Sequence, residues 1–316
     1  MGSGSSAWTV WWLSRKRFPA RDERPRHRVA LPTFYIGRFP VTNAEYRCFI
    51  EDGGYQTERY WPTEAARAWL SGGDAEAMAE ELEFWRRLKE DPGMVQRSQF
   101  ETRVLVTEWH FAESDDDGGT ASFQGTPPRS REEPAYWRDE HYTNPAQPVV
   151  GVTWYEAVAY TRWLDRKLRE AEVTMAGGLK LADGYEVRLP TEAQWEKAAR
   201  MRRGWSYPWG EHWDQNRANT AEGHVLRPSP VGVYPLGATP EGVHELGGNV
   251  CEWTQSLYAD YPYRTGAERS SLDAQGHRVV RGGSCLYGYK SARCAYRNGY
   301  IPDLFDGPLG FRVALS

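Results

Sequence analysis

The sequence predicts a mixed α+β, loop-rich fold with few, short strands and helices. Three observations lead there. Helical stretches are short, and most open on a capping signal. Strand-like alternation appears only in brief pieces. Fifteen Trp and eighteen Tyr stand beside 31 Gly and 20 Pro in 316 residues. That mixture suits a core built from loops, where large rings replace the regular packing of sheets and helices.

Taken in order, residues 27–30 and 34–36 alternate like strands. Thr42-Asn43 caps a helix over 44–50, closed by Gly53-Gly54. Residues 62–92 read as two helices, the second being DAEAMAEELEFWRRLKED with Asp74 as its cap. Residues 112–134 are polar and Gly/Pro-rich, with acids at Asp115-Asp116-Asp117, and read as a loop. Residues 148–152 form a short strand. Thr153 caps the next helix, with Glu156 three residues on to complete a capping box. The pattern recurs in YEVRLPTEAQWEKAARM: a strand, then Thr191 as cap, then a helix carrying Trp195, Ala198 and Ala199. After Gly204 the chain becomes turns and short strands. No tandem repeat of fixed period occurs. The reading is a single domain over 1–316 with an insertion at about 61–140.

The net charge of −4 argues against a general nucleic-acid binder, whose affinity rests on cationic surface. Basic charge is almost all arginine, which is compatible with a thermophilic bacterium. No apolar run approaches the ~20 residues that span a bilayer, and no signal-peptide pattern opens the chain. No membrane contact and a cytoplasmic location are expected. Cys48, Cys251, Cys285 and Cys294 form no CxxC pair and no zinc spacing, so they read as reduced, mostly buried thiols.

Several segments carry a resemblance in family order: Met1-Gly2-Ser3, Asp22-Glu23 with Pro25 and His27, FPVTNAEY (39–46), PVVGVTWYEA (148–157), RLPTEAQWEKAAR (188–200), YPWG (207–210), GGNVCEW (247–253), RGGS (281–284) and LGFR (309–312). Together they resemble the sulfatase-modifying-factor family, whose best-known member is the formylglycine-generating enzyme. The resemblance implies a C-type-lectin-like fold. The strand that usually precedes Met-Gly-Ser in the family is absent, which suits a piece of a longer protein.

The family's chemistry is carried over residue by residue. Its oxidases bind copper through two cysteines shortly after Arg-Gly-Gly-Ser, a thiolate pair suiting soft Cu(I). Here Tyr287 holds the first position and the second falls near Ala292. A sulfoxide-synthase branch needs iron held by histidines on a preceding helical bundle, and the seven histidines here show no His-x-x-x-His. Neither copper nor iron is expected. The family's calcium loop implies the carbonyls of Gly248 and Val250, the Glu252 carboxylate and Glu245, hard oxygen ligands of the kind calcium takes. A second calcium site would use Asn219 and Thr220, but Gly223 stands where the family has an aspartate.

The C-terminal stretch 279–316 raises a different possibility of function. Its ends match the family frame, while 285–289 and 299–307 show neither alternation nor helical period. Those two stretches resemble the ligand surface of diversity-generating retroelement variable proteins. There, mutation at template adenines cannot produce Lys, Glu, Gln, Met or Trp from an AAC codon. Neither stretch contains any of the five, although they make up about a fifth of the chain. The resemblance implies a non-catalytic protein that displays Cys285, Leu286, Tyr287, Gly288, Tyr289, Tyr300, Ile301, Leu304, Phe305, Asp306 and Gly307 to a ligand, a protein or other macromolecule. Tyr in such a surface supplies contact area at low entropic cost. Two alternatives stand beside it: an oxidase of the formylglycine-generating or sulfoxide-synthase kind with an altered active site, and a catalytically dead immunity or regulatory module that binds a partner. Arg281, Arg293, Arg297 and Arg312 read as frame, satisfying loop carbonyls.

Overall fold

Capping signals in the sequence start three of the helices. In α1 (Asn43–Glu51) the Thr42 side chain accepts from the Glu45 N–H, and the Glu45 carboxylate accepts from the Thr42 N–H at 2.8 Å. A short α2 (Glu64–Leu70) follows. In α3 (Trp154–Glu170) the Thr153 N–H and hydroxyl both donate to Glu156 Oε2, at 2.7 and 2.9 Å. In α4 (Glu192–Arg200) Thr191 and Gln194 make the same reciprocal pair. Each cap satisfies N–H groups that the first turn leaves without intrahelical partners. A last short helix, α5, covers Ala267–Ser270.

These elements belong to a computed structural model that describes residues 8–11, 21–72, 131–170, 184–201, 203–264, 266–305 and 307–316. The chain forms two units, residues 1–66 with 132–316, and residues 67–131. The second helix expected from Asp74 and the acidic run at 115–117 lie outside the described residues.

Among the described residues three small sheets make up the β-structure. β1 (Trp8–Trp11) pairs antiparallel with β2 (Arg28–Leu31). β3 (Tyr35–Ile36) and β4 (Val187–Arg188) flank the C-terminal strand β9 (Ala314–Leu315), which ties the end of the chain to its early part. The largest sheet has the order β7-β6-β5-β8. Here β5 is Cys251–Leu257, β6 Arg278–Arg281, β7 Arg297–Tyr300 and β8 Leu309–Phe311. The β5–β8 pairing is parallel and the others antiparallel. The strand expected at 148–152 does not form. Pro148 makes an isolated bridge to Thr42, the Val149 N–H reaches the Val41 carbonyl at 2.9 Å, and Gly151 at φ +70° turns the chain out of the extended region.

α3 and α4 pack beside this sheet and supply the aromatic core expected of a loop-rich fold. Trp154, Trp195 and Trp253 are fully buried. Tyr46 and Tyr160 stack at 5.4 Å, and Phe49 and Phe311 meet them edge-on at 5.3 Å each. Three buried carboxylates lie among these rings, each with a guanidinium. α4 spaces Glu192 and Glu196 one turn apart, so both face the arginines of β6 and β7. Glu192 receives a two-pronged bond from Arg297 at 2.7 and 2.9 Å, and Arg269 joins it at 3.2 Å. Glu196 takes Arg281 and, at 2.6 Å, Arg200. Glu252 is gripped by Arg312 through both oxygens at 2.6 Å. A buried charge is tolerated only when paired and hydrogen-bonded in this way.

Candidate functional site

The surface predicted for ligand contact grows out of the Arg281-Gly282-Gly283-Ser284 segment, and local backbone geometry fixes how. Gly282 and Gly283 sit at φ +97° and +68°. A Cβ on Gly283 would lie 2.8 Å from the Ser291 carbonyl group, so only glycine allows this approach. The next N–H, that of Cys285, donates to the Asn249 carbonyl at 3.0 Å. Asn249 is itself buried at φ +68°, and its side chain joins Ser229 and Asn219. The chain then turns, with the Tyr287 N–H on the Ser284 carbonyl. Two further bonds come from a distant loop: the Ala221 N–H donates to the Tyr287 carbonyl at 3.1 Å, and the Tyr289 N–H to Glu222 Oε1 at 2.8 Å.

The second stretch leaves β7 beside the first. The Tyr287 and Tyr300 hydroxyls lie 3.3 Å apart, and Asn298 Nδ2 donates to the Tyr300 oxygen at 3.0 Å. The Trp154 N–H holds the Pro302 carbonyl at 2.9 Å. The Tyr289 ring tilts against Trp213 at 5.8 Å, which in turn meets Trp209. The structure thus brings 285–289 and 300–304 together.

The predicted display residues divide by burial. Leu286 is exposed, and Tyr287, Gly288, Tyr289, Tyr300, Ile301, Leu304 and Gly307 are half-buried, each with part of its surface open. Cys285 and Phe305 are corrections. Both are buried, at 0% and 8% exposure, and cannot touch a ligand in this arrangement. Burial also pushes the Cys285 thiol up to about 12. Asp306 lies outside the described residues. The loop 221–226 was not foreseen as part of this surface. It carries Glu222 and the exposed Val225 and Leu226 (39% and 53%), and no local pattern marks it, because it joins the stretch only through long-range bonds.

The arginines expected as frame are frame, with carboxylates as partners besides carbonyls. Arg281, Arg297 and Arg312 are buried in the ion pairs described above, and Arg293 donates twice to Glu23, at 2.6 and 2.9 Å. Arg297 also reaches the Asp22 and Ala259 carbonyls.

The residues of the implied calcium loop are close in sequence but unequal in chemistry. Glu252 is spoken for: Arg312 takes both oxygens, and the Trp195 indole donates to Oε2 at 2.7 Å. Glu245 differs. Its Oε1 accepts from the Gly232 N–H at 2.6 Å, while its Oε2 is buried without a hydrogen-bond partner. Burial pushes this carboxyl up to about 7. Gly248, at φ +103°, passes within the reach of Asn219, whose carbonyl a Cβ would meet at 2.5 Å. The Gly248 carbonyl accepts from the Val250 N–H at 3.0 Å. Glu245 keeps one unpartnered oxygen. Glu252, neutralised by its arginine, does not. Among the described residues no three or more His, Cys, Asp or Glu side chains cluster as metal ligands.

Comparison with known proteins follows the same lines. Residues 9–316 match the sulfatase-modifying factor enzyme 1-like domain. A hercynine oxygenase of Mycolicibacterium thermoresistibile is 31% identical over 96% of this chain, which covers 55% of that protein. The chain therefore spans about half the length of the curated relatives it matches. Among solved structures, PvdO from Pseudomonas aeruginosa aligns with a TM-score of 0.56 at 20% identity, covering 99% of this chain and 92% of that one. Treponema denticola variable protein 1 aligns with a TM-score of 0.52 at 17% identity, covering 98% and 94%. Both likenesses concern the fold. Among the described residues no helix is long and apolar enough to cross a membrane.

Proposed function

We propose that this chain, which belongs to the sulfatase-modifying factor enzyme 1-like family, is a non-catalytic ligand-binding protein that presents variable side chains on a C-type-lectin-like scaffold. One observation carries the reading. Leu286 is exposed and Tyr287, Tyr289, Tyr300, Ile301 and Leu304 are partly open to solvent, on two stretches that meet at the Tyr287 and Tyr300 hydroxyls and leave a frame whose glycines, ion pairs and main-chain bonds are buried. Apolar and tyrosyl side chains grouped in this way form the kind of surface that recognises a macromolecule. The chemistry of the thiols agrees. Cys285 and Cys294 are wholly buried, and burial pushes both up to about 12, so neither is poised as a reactive thiolate. Calcium belongs to this reading as a structural ion beside Glu245 and the Gly248 and Val250 carbonyls, without Glu252.

The test lies in the flanking DNA. The reading requires a reverse transcriptase gene and a near-copy of the segment coding for 279–316, differing at adenines. A genome lacking both refutes it.

A second reading has its own support. The 31% identity to a hercynine oxygenase, over almost the whole of this chain, favours an oxygenase-type protein of which this is one part. Oxidation of a thiol substrate by the full-length protein loaded with iron would favour that reading over the first.

A further inference from the structure

We propose that the cavity between α3, β4 and β5 binds a small aliphatic carboxylate, read by Arg188. The cavity measures about 80 Å³ and lies apart from the display surface in its lining residues. Val158, Leu189 and Leu272 form its apolar wall, and Thr161 and Gln255 stand with Arg188 on its polar side.

The argument rests on where the charges are spent. Arg162 and Glu186, also on the wall, neutralise each other at 2.6 Å. Arg188 has no such partner. Its Nη1 donates to the Leu189 carbonyl at 3.2 Å and reaches the Gln255 amide oxygen at 3.5 Å. Among the described residues no carboxylate forms an ion pair with it, Glu186 acting on it only at longer range, and its Nε and Nη2 make no hydrogen bond. Elsewhere in this fold the pattern is different. Arg281, Arg297 and Arg312 are each buried against a carboxylate, and Arg278, which has none, donates to four carbonyls. Among the described residues Arg188 combines half-burial, a cavity wall, no ion-pair partner and two open donors on one edge of the guanidinium, whereas Arg162 on the same wall is already held by Glu186. Nε and Nη2 form the fork that takes both oxygens of a carboxylate. Burial works against this cation and lowers its affinity for its proton, so an anion placed there relieves a real cost.

Charge and size select the ligand. With Arg162 and Glu186 cancelling, the lining carries one net positive charge, which a monoanion balances. Phosphate as a dianion would overshoot it and would leave the Val158, Leu189 and Leu272 wall without an apolar partner. A volume of about 80 Å³ suits a small acid such as acetate or propionate.

The experiment uses the whole chain and three sodium salts, acetate, propionate and phosphate, at constant ionic strength. Binding is followed by the NMR shift of the Arg188 Nε–Hε group and by melting temperature. Both carboxylates should give saturable shifts at Arg188, with propionate the tighter, and Arg188→Gln should weaken binding by about tenfold or more. Leu272→Trp, which fills the cavity and keeps the guanidinium, should block binding as well, and it serves where Arg188→Gln fails to fold. No saturable shift at Arg188, phosphate tighter than propionate, or unchanged affinity in either variant overturns the proposal.

Discussion

Glu245 offers a way to read the calcium loop without seeing an ion. The perturbation is Glu245→Gln, compared with the parent protein after treatment with a chelator. Burial moves this carboxyl from the ordinary 4.5 to about 7 in the folded chain. Each unit is about 1.4 kcal/mol, so the ionised group costs roughly 3 kcal/mol of stability once both states have lost the proton. The sign follows from proton count. Between pH 4.5 and about 7 the folded state holds the proton more tightly than the unfolded state, so stability from this group falls as pH rises through that window. Gln cannot ionise. It leaves a buried N–H₂ where Oε2 lacked a partner, a cost of about 1–3 kcal/mol that does not vary with pH. Urea unfolding of both proteins from pH 5 to pH 8 isolates the effect as the change in their difference. The Gln variant should gain about 2.5 kcal/mol on the chelated parent across that range, since part of the cost is already present at pH 5. Calcium should then restore the parent at pH 8 and leave the variant unmoved, since a cation gives Oε2 its missing partner. Parallel pH curves would refute the buried, unpartnered carboxyl, and a parent indifferent to calcium at pH 8 would remove the ion from the loop.

Three further outcomes are expected. Arg312→Ala leaves Glu252 buried without its cation and should cost about 3–5 kcal/mol, read as the shift in urea midpoint multiplied by its slope. Leu286→Ser, at the exposed edge of the display surface, should change stability by no more than about 0.5 kcal/mol, whereas Gly283→Ala should cost more than about 1 kcal/mol, because its Cβ would strike the Ser291 carbonyl group; equal losses in thermal melts would place the Leu286 side chain in the core. Native alkylation at pH 8 followed by mass spectrometry should label the exposed Cys48 and spare Cys285 and Cys294, whose thiols burial holds protonated; early labelling of Cys285 would contradict its inward orientation.

The legible part of the fold is the part that local chemistry specifies. Thr42, Thr153 and Thr191 were readable as caps because the partner of each lies three residues on. β5 gave no alternation because it is buried almost continuously, lying inside the largest sheet between β6 and β8. Residues 148–152 looked like a strand, yet its place in a ladder depends on a partner segment, and only one bridge formed. The site shows the same divide. The composition of 285–289 and 299–307 pointed to a surface, and among the described residues most of those side chains reach solvent, with Cys285 and Phe305 buried. Cys285 and Phe305 look no different in the sequence, because a loop has no period from which to tell inward from outward. Glu252 read as a ligand because its neighbours matched a motif, while its true partner, Arg312, stands 60 residues further along.

The two halves of the C-terminal region depend on different kinds of bond, and they should respond differently to a change of side chain. The bonds that shape the display stretches are largely made by main-chain atoms: the Cys285 N–H to Asn249, the Tyr287 carbonyl from Ala221, the Tyr289 N–H to Glu222 and the Pro302 carbonyl from Trp154. Any residue but proline supplies the same N–H and carbonyl, so replacing the side chain leaves those bonds in place. The frame below is made of side chains whose identity cannot change without leaving a charge unpaired, as at Glu192, Glu196 and Glu252. Tyr287 and Tyr300 are the exception, joined through their hydroxyls at 3.3 Å. A change at either removes the hydroxyl that the other meets, so these two positions are coupled.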